Sequence, residues 1–333
     1  MRILLIKTSS LGDIIHALPV LQDINKHYPL AIIDWMVEES FASILQTHKH
    51  INKIIPIAWR RWRKNLISIT TLKEIKFFYK TLNENKYDHI IDMQGLIKSA
   101  IPSYLAKSSN TIIHGYANKS QQAGYEPLAK LAYTKKIPIP FKCHAVTRNR
   151  LLCAQALGYS INESEVKFDF SNHIHEFDNS IIFGHGTSRV DKEWGVNNWI
   201  KLGTKISLNY DVNIILPNGN AYEKHSSEMI KQGIINNNPN ANIVILSRTT
   251  LQDLVSIIGK SSFFIGVDTG LSHIASALNI SSIIIYNFDT TWRTHAFWNE
   301  NIHSIYDHAN IDLEKLWQLF TQKYIQQYEL EKN

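Results

Sequence analysis

The feature that most constrains this chain is a rhythm. Short, uninterrupted apolar runs, each closed by a turn, alternate with stretches whose apolar residues recur at helical spacing. In the first half the runs cover residues 3–7, 31–37, 54–57 and 89–93; in the second they cover 181–183, 212–216, 242–246, 263–267 and 282–286. Runs that are apolar at successive positions fit strands covered on both faces, and their alternation with helices fits a parallel sheet wound by helices. The rhythm occurs twice, and 333 residues suffice for two cores. This predicts an α/β chain of two doubly wound, Rossmann-like domains, 1–165 and 166–333. A helix is expected from Asp13 toward His27, with Pro19 in its opening turn, where a missing N–H costs nothing. The zone holding Gly115, Gly124, Pro127, Pro138 and Pro140 reads as loop, and the helical pattern of 311–328 is expected to pack back on the first domain.

Composition narrows the class. With 44% hydrophobic and 19% charged residues the chain is globular, and no apolar run approaches the ~20 residues of a membrane-spanning helix. The opening residues lack a signal-peptide pattern, so export is not expected. Two cysteines, Cys143 and Cys153, support neither a disulfide framework nor a thiolate zinc site, and the fifteen histidines lack metal-helix spacing. A net charge of +6 favours an anionic partner without saying which.

Chemistry is expected where strands end. The run 263–267 stops at Asp268-Thr269-Gly270-Leu271-Ser272-His273 and restarts as a helix. Unpaired N–H groups and the helix dipole suit phosphate there, Gly270 lets an anion approach backbone, and Thr269, Ser272 and His273 add donors; alternatively, Asp268 or Thr269 merely caps the helix. After the first strand, Thr8-Ser9-Ser10-Leu11-Gly12-Asp13 sets hydroxyls, a glycine and a carboxylate at the position where doubly wound domains hold ligands. Asp13 reads as a general base or as a helix cap. Trp59-Arg60-Arg61-Trp62-Arg63-Lys64 is the densest basic run, suited to an acidic ligand or to solvent, and its indoles suit a lipid interface, a base or a sugar. Gln94 and Lys98 follow the fourth strand on the same rim, although Lys98 also reads as a surface residue. In the second half Thr187, Ser188 and Lys192 follow a strand and can meet phosphate. Glu223 can accept from ribose hydroxyls or simply favour its own helix.

In order and spacing, Lys7 to Asp13, Arg60 to Lys64, Gln94 to Ser99 and Asp268 to His273 resemble the lipopolysaccharide heptosyltransferase I family along nearly the whole chain. The resemblance implies a GT-B glycosyltransferase, two Rossmann-like domains facing a central cleft, moving heptose from ADP-heptose to the inner Kdo of Kdo-lipid A with inversion and without a metal or other cofactor. By that similarity Asp13 is the catalytic base. Thr187, Ser188, Lys192, Glu223, Asp268, Thr269, Gly270, Leu271 and His273 bind the donor. Ser9, Ser10, Gly12, Arg60, Arg61, Arg63, Lys64, Gln94 and Lys98 bind the acceptor. The implied location is the cytoplasmic face of the inner membrane of a Gram-negative bacterium, held peripherally and with no nucleic-acid partner. Alternatives are a transferase of the same architecture with another acceptor, as in heptosyltransferase II, or a non-catalytic basic protein that binds RNA or membrane. Two departures from the family stand out: Asn287-Phe288-Asp289-Thr290-Thr291 replaces the usual Gly-Pro-Thr-Asp-Pro, and the segment before Glu126-Pro127 lacks its common arginine.

Overall fold

A computed structural model describes residues 1–46, 48–170, 178–187, 189–247, 249–306 and 311–332. The chain divides into two compact units, Met1–Ser171 and Asn172–Asn333. The first holds β1 (Arg2–Ile6), β2 (Ile32–Glu38), β3 (Lys53–Ile57), β4 (His89–Asp92), β5 (Ile112–Tyr116) and β6 (Lys135–Ile137), paired in parallel in the order β3-β2-β1-β4-β5-β6. The second holds β7 (Asp178–Gly184), β8 (Asn213–Leu216), β9 (Asn242–Ile245), β10 (Ser261–Val267), β11 (Ser282–Tyr286) and β12 (Ile302–Tyr306), again parallel, in the order β12-β11-β10-β7-β8-β9. Both sheets are the expected doubly wound kind. Winding reverses between β1 and β4 in one and between β7 and β10 in the other, and such a reversal opens a crevice beyond the strands' carboxyl ends.

The central strands carry the cores. All seven residues of β10 are buried, as are all five of β11, because helices cover both faces of each sheet. Three strands depart from the sequence reading. β5 and β6 lie in the zone read as loop, and β12 had no expected strand. β5 contains His114 and Gly115, both buried, and Gly115 is required because the Tyr133 ring lies 2.2 Å from where its Cβ would stand. β6 and β12 are sheet edges, where pairing comes from the neighbouring strand and not from an apolar run; β6 exposes Lys135 and Lys136, as edges often do.

One helix expectation also changes. The stretch from 13 to 27 is two helices, Leu11–Ile15 and Pro19–His27, with Pro19 opening the second. The C-terminal helix, Leu313–Lys332, buries Leu316, Phe320 and Tyr324 in the second unit's own core. Phe320 meets Phe263 of β10 at 5.3 Å between ring centroids, and Tyr324 donates to Asn179 at 3.3 Å. The i, i+4, i+8 spacing makes one stripe.

Candidate functional site

At the first reversal, the loop after β1 is braced by the loop after β4. The buried Gln94 side chain accepts through Oε1 from Thr8 N (3.0 Å), Thr8 Oγ1 (3.2 Å) and Ser9 N (3.1 Å). Lys98, half-buried, donates to Ser9 Oγ at 2.8 Å, so it joins this corner and is not a mere surface cation. Burial pulls its pKa down, partly offset by Glu38 and Glu126. Beneath, Asp92 is wholly buried and accepts from Gln94 N, Gly95 N, Ser99 Oγ and Tyr133 OH, at 2.7–3.2 Å. Burial raises its pKa against those four donors. Asp13 sits in the first turn of the helix Leu11–Ile15 with Gly12 beside it, and its Oδ2 accepts from Ser10 N at 3.0 Å and Ser10 Oγ at 2.9 Å. The capping geometry is therefore present, on a carboxylate that remains partly exposed at the rim.

The basic run is less uniform than it reads. Arg61 forks onto Glu39 (3.0 and 3.0 Å) and also donates to Glu74 at 2.6 Å, so its exposed guanidinium is already paired. Trp62 is buried, 5.6 Å from the Phe78 ring, and donates to the same Glu74 oxygen at 2.8 Å; Trp59 packs half-buried against that core. The Trp62 indole is thus structural, contrary to the expectation of an exposed lipid or ligand contact, while Trp59 remains partly exposed. Arg60, Arg63 and Lys64 are exposed. Arg60 lies over the Phe41 ring at 4.9 Å, while the side chains of Arg63 and Lys64 make no hydrogen bond or ion pair among the described residues. Glu38, at the end of β2, was not singled out from sequence, yet it is buried and accepts from Arg60 N at 2.9 Å. Burial raises its pKa while Arg60 and Lys98 oppose. Glu126 was also missed: it accepts from Ile97 N at 2.6 Å, anchoring the helix that carries Lys98.

At the second reversal the bracing is ionic. Asp268, at the end of β10, pairs through Oδ2 with Lys192 Nζ at 2.5 Å and through Oδ1 with His273 Nε2 at 3.3 Å. Burial alone would raise its pKa, but the hydrogen bond and charge of His273 and the Lys192 ammonium outweigh it and hold the carboxyl well below the usual range. Thr269 precedes the helix Gly270–Ala277 without a side-chain capping bond, so the N–H groups of Gly270 and Leu271 face the corner as expected for an anion site. Ser272 is different: its buried hydroxyl donates to Val267 O at 2.5 Å and is spent on the strand end. Thr187 accepts from Arg189 N at 3.4 Å, and Ser188 lies outside the described residues. Glu223 accepts from Gly219 N at 2.6 Å and lies against Gly186, whose added Cβ would stand 2.8 Å from its carboxyl carbon. Asn220 caps that helix through Glu223 N at 3.0 Å, so the Glu223 carboxylate is directed to the strand-end loops. The divergent 287–291 loop is not idle: Asn287 Nδ2 donates to Glu193 O at 2.9 Å and Asp191 O at 3.3 Å, the carbonyls on either side of Lys192.

The turns that hold Asp13, Gln94 and Lys98 stand at one winding reversal, and those that hold Lys192, Asp268 and His273 at the other, while the exposed cations of the basic run follow the edge strand β3. Two parallel, doubly wound units of this kind are the GT-B architecture of the solved heptosyltransferases. The sequence model of glycosyltransferase family 9 (heptosyltransferase) matches residues 75–317, and the chain belongs to that family. Among its relatives, lipopolysaccharide heptosyltransferase 1 of Escherichia coli K12 is 35% identical over 293 residues, 86% of this chain and 88% of the relative. The solved E. coli heptosyltransferase WaaC with ADP is 31% identical, with a TM-score of 0.86 over 97% of this chain and 100% of that one. WaaC with ADP-2-deoxy-2-fluoro heptose is likewise 31% identical, with a TM-score of 0.82 over 97% and 99%.

Proposed function

We propose that the chain transfers heptose from ADP-heptose to the inner Kdo residue of Kdo-lipid A, with inversion and without a metal ion, at the cytoplasmic face of the inner membrane. The observation that carries the reading is the Lys192–Asp268–His273 cluster beside the helix start at Gly270, in a chain 35% identical to a heptosyltransferase 1. Asp13 takes the proton of the attacking Kdo hydroxyl, the oxygen bonds to the anomeric carbon, and the bond from that carbon to the phosphate oxygen breaks. Base assistance of this kind is worth about 10²–10⁴ in rate. Lys192 and the N–H groups at Gly270 and Leu271 take up the charge that grows on ADP, the work a divalent ion does elsewhere. In the free enzyme Asp268 occupies the Lys192 ammonium, so the donor diphosphate shares or replaces that carboxylate. Thr187, Ser188 and Glu223 complete the donor side, the last toward the nucleoside. Arg60, Arg63, Lys64 and Lys98 meet the Kdo carboxylates and lipid A phosphates, which makes the acidic acceptor, and not a nucleic acid, the partner of the basic run. Purified chain incubated with ADP-heptose and deacylated Kdo-lipid A should form the heptosylated product, with EDTA present or absent. No product, or strict dependence on an added divalent ion, would sink the corresponding part of this reading.

A further inference from the structure

The helix Ile69–Leu82 has two finished faces. Thr71, Phe78 and Leu82 are buried, with Ile75 and Tyr79 packed against the same core. Away from them, Ile69, Leu72, Lys73, Lys76, Phe77 and Lys80 follow the i, i+3, i+4, i+7, i+8, i+11 spacing of one helical stripe, and all of them are exposed. Ile69 is 71% exposed, Leu72 55% and Phe77 69%, and just before the helix Leu66 is 52% and Ile67 91% exposed. The helix's one acidic residue, Glu74, is turned away to Arg61 and Trp62. The outer stripe is thus large apolar side chains interleaved with lysines, with no carboxylate among them. Exposed Arg63 and Lys64 extend the positive charge toward Leu66.

That pattern suits the boundary between acyl chains and anionic headgroups: apolar side chains enter the bilayer, while lysine stems lie along it and their ammonium groups stay with phosphate. A purely solvated face would not need the apolar residues, and an apolar protein partner would not need the unbroken positive charge. We propose that this stripe, together with Leu66 and Ile67, docks the first unit on an anionic lipid bilayer. The proposal draws its purpose from the lipid acceptor proposed above, yet it concerns binding to a bilayer that contains no acceptor.

The test uses the full chain and sedimentation with vesicles of phosphatidylglycerol and phosphatidylethanolamine, or of phosphatidylcholine alone. Wild type should bind the anionic vesicles at least about tenfold more tightly than the neutral ones. Ile67→Glu/Phe77→Glu and Lys73→Glu/Lys76→Glu should each weaken anionic binding by at least about tenfold, while circular dichroism and turnover of a deacylated, soluble acceptor stay at wild-type values. Failure of wild type to bind anionic vesicles, or binding by both double variants equal to that of wild type, overturns the docking surface. Heptose transfer to the soluble acceptor without vesicle binding would leave the proposed function standing and remove this proposal; vesicle binding without any transfer would do the reverse.

Discussion

The two units share one strand order and differ in what holds the corner beside the reversal. In the first, a neutral amide does it: Gln94 gathers two backbone N–H groups and a hydroxyl of the β1 loop, and the cations Arg63 and Lys64 stand outside. In the second, charges do it: Lys192, Asp268 and His273 hold one another, and Asn287 fixes the carbonyls flanking Lys192. A neutral brace stays in place when an anion arrives. An ionic brace competes with the anion, because the ammonium that would meet phosphate already has a carboxylate. The first corner is therefore built to hold its shape, and the second, if the donor diphosphate binds there as proposed, exchanges one anion for another.

The strongest way to break this comparison is Asp13→Asn. Its amide oxygen can still accept from Ser10 N, so the helix turn survives while the base is lost. Turnover should fall at least about a hundredfold with ADP-heptose affinity nearly unchanged, as calorimetry and rates would show. Activity within a few-fold of wild type would make Asp13 a cap and nothing more.

Lys192→Ala should come next, weakening ADP binding and slowing transfer together, by about ten- to a hundredfold in kcat/KM. If Asp268 is held for exchange, the companion Lys192→Ala/Asp268→Asn variant should recover part of the ADP affinity, since no unpaired carboxylate then faces the diphosphate. Equal ADP affinity in the single and double variants would contradict the exchange.

Gln94→Ala addresses the neutral corner. It strands Thr8 N and Ser9 N in a buried place, so unfolding free energy should drop by about 1–3 kcal/mol and the acceptor KM should rise. ADP-heptose affinity, a property of the other unit, should not move. A donor defect equal to the acceptor defect would show that the two corners are not separable.

The smallest effect is expected from pH. His185 is buried with Nε2 2.8 Å from Ser227 Oγ, and burial lowers its pKa from 6.5 to about 4. Above pH 6.5 folded and unfolded forms are both neutral there. As pH falls from 6.5 toward 4 the unfolded chain takes a proton that the folded one refuses, so stability declines, by no more than about 2 kcal/mol at pH 5. Urea unfolding followed in His185→Gln at pH 7 and pH 5 should show a shallower loss than in wild type; an identical loss would place the acid sensitivity elsewhere.

Much of this was legible in the residues. The apolar runs announced nine of the twelve strands among the described residues, and the turns after them held Asp13, Gln94, Lys98, Lys192 and Asp268, all of which the fold brings to the two reversals. These features are local: a period of burial, a turn and a helix start are written in consecutive residues. The rest depends on neighbours far along the chain. β6 and β12 are strands because a partner strand offers hydrogen bonds at the sheet edge, which no run of their own side chains reveals. The basic run reads as one cationic patch, but Glu39 and Glu74, 22 and 13 residues from Arg61, already pair with its exposed guanidinium. Trp62 reads as an exposed indole until Phe78 and Glu74 close over it. Residue type and spacing determined which groups arrive at the strand ends; only tertiary packing decided which are already occupied, because a hydrogen bond or ion pair is set by distance in space and not by separation in sequence.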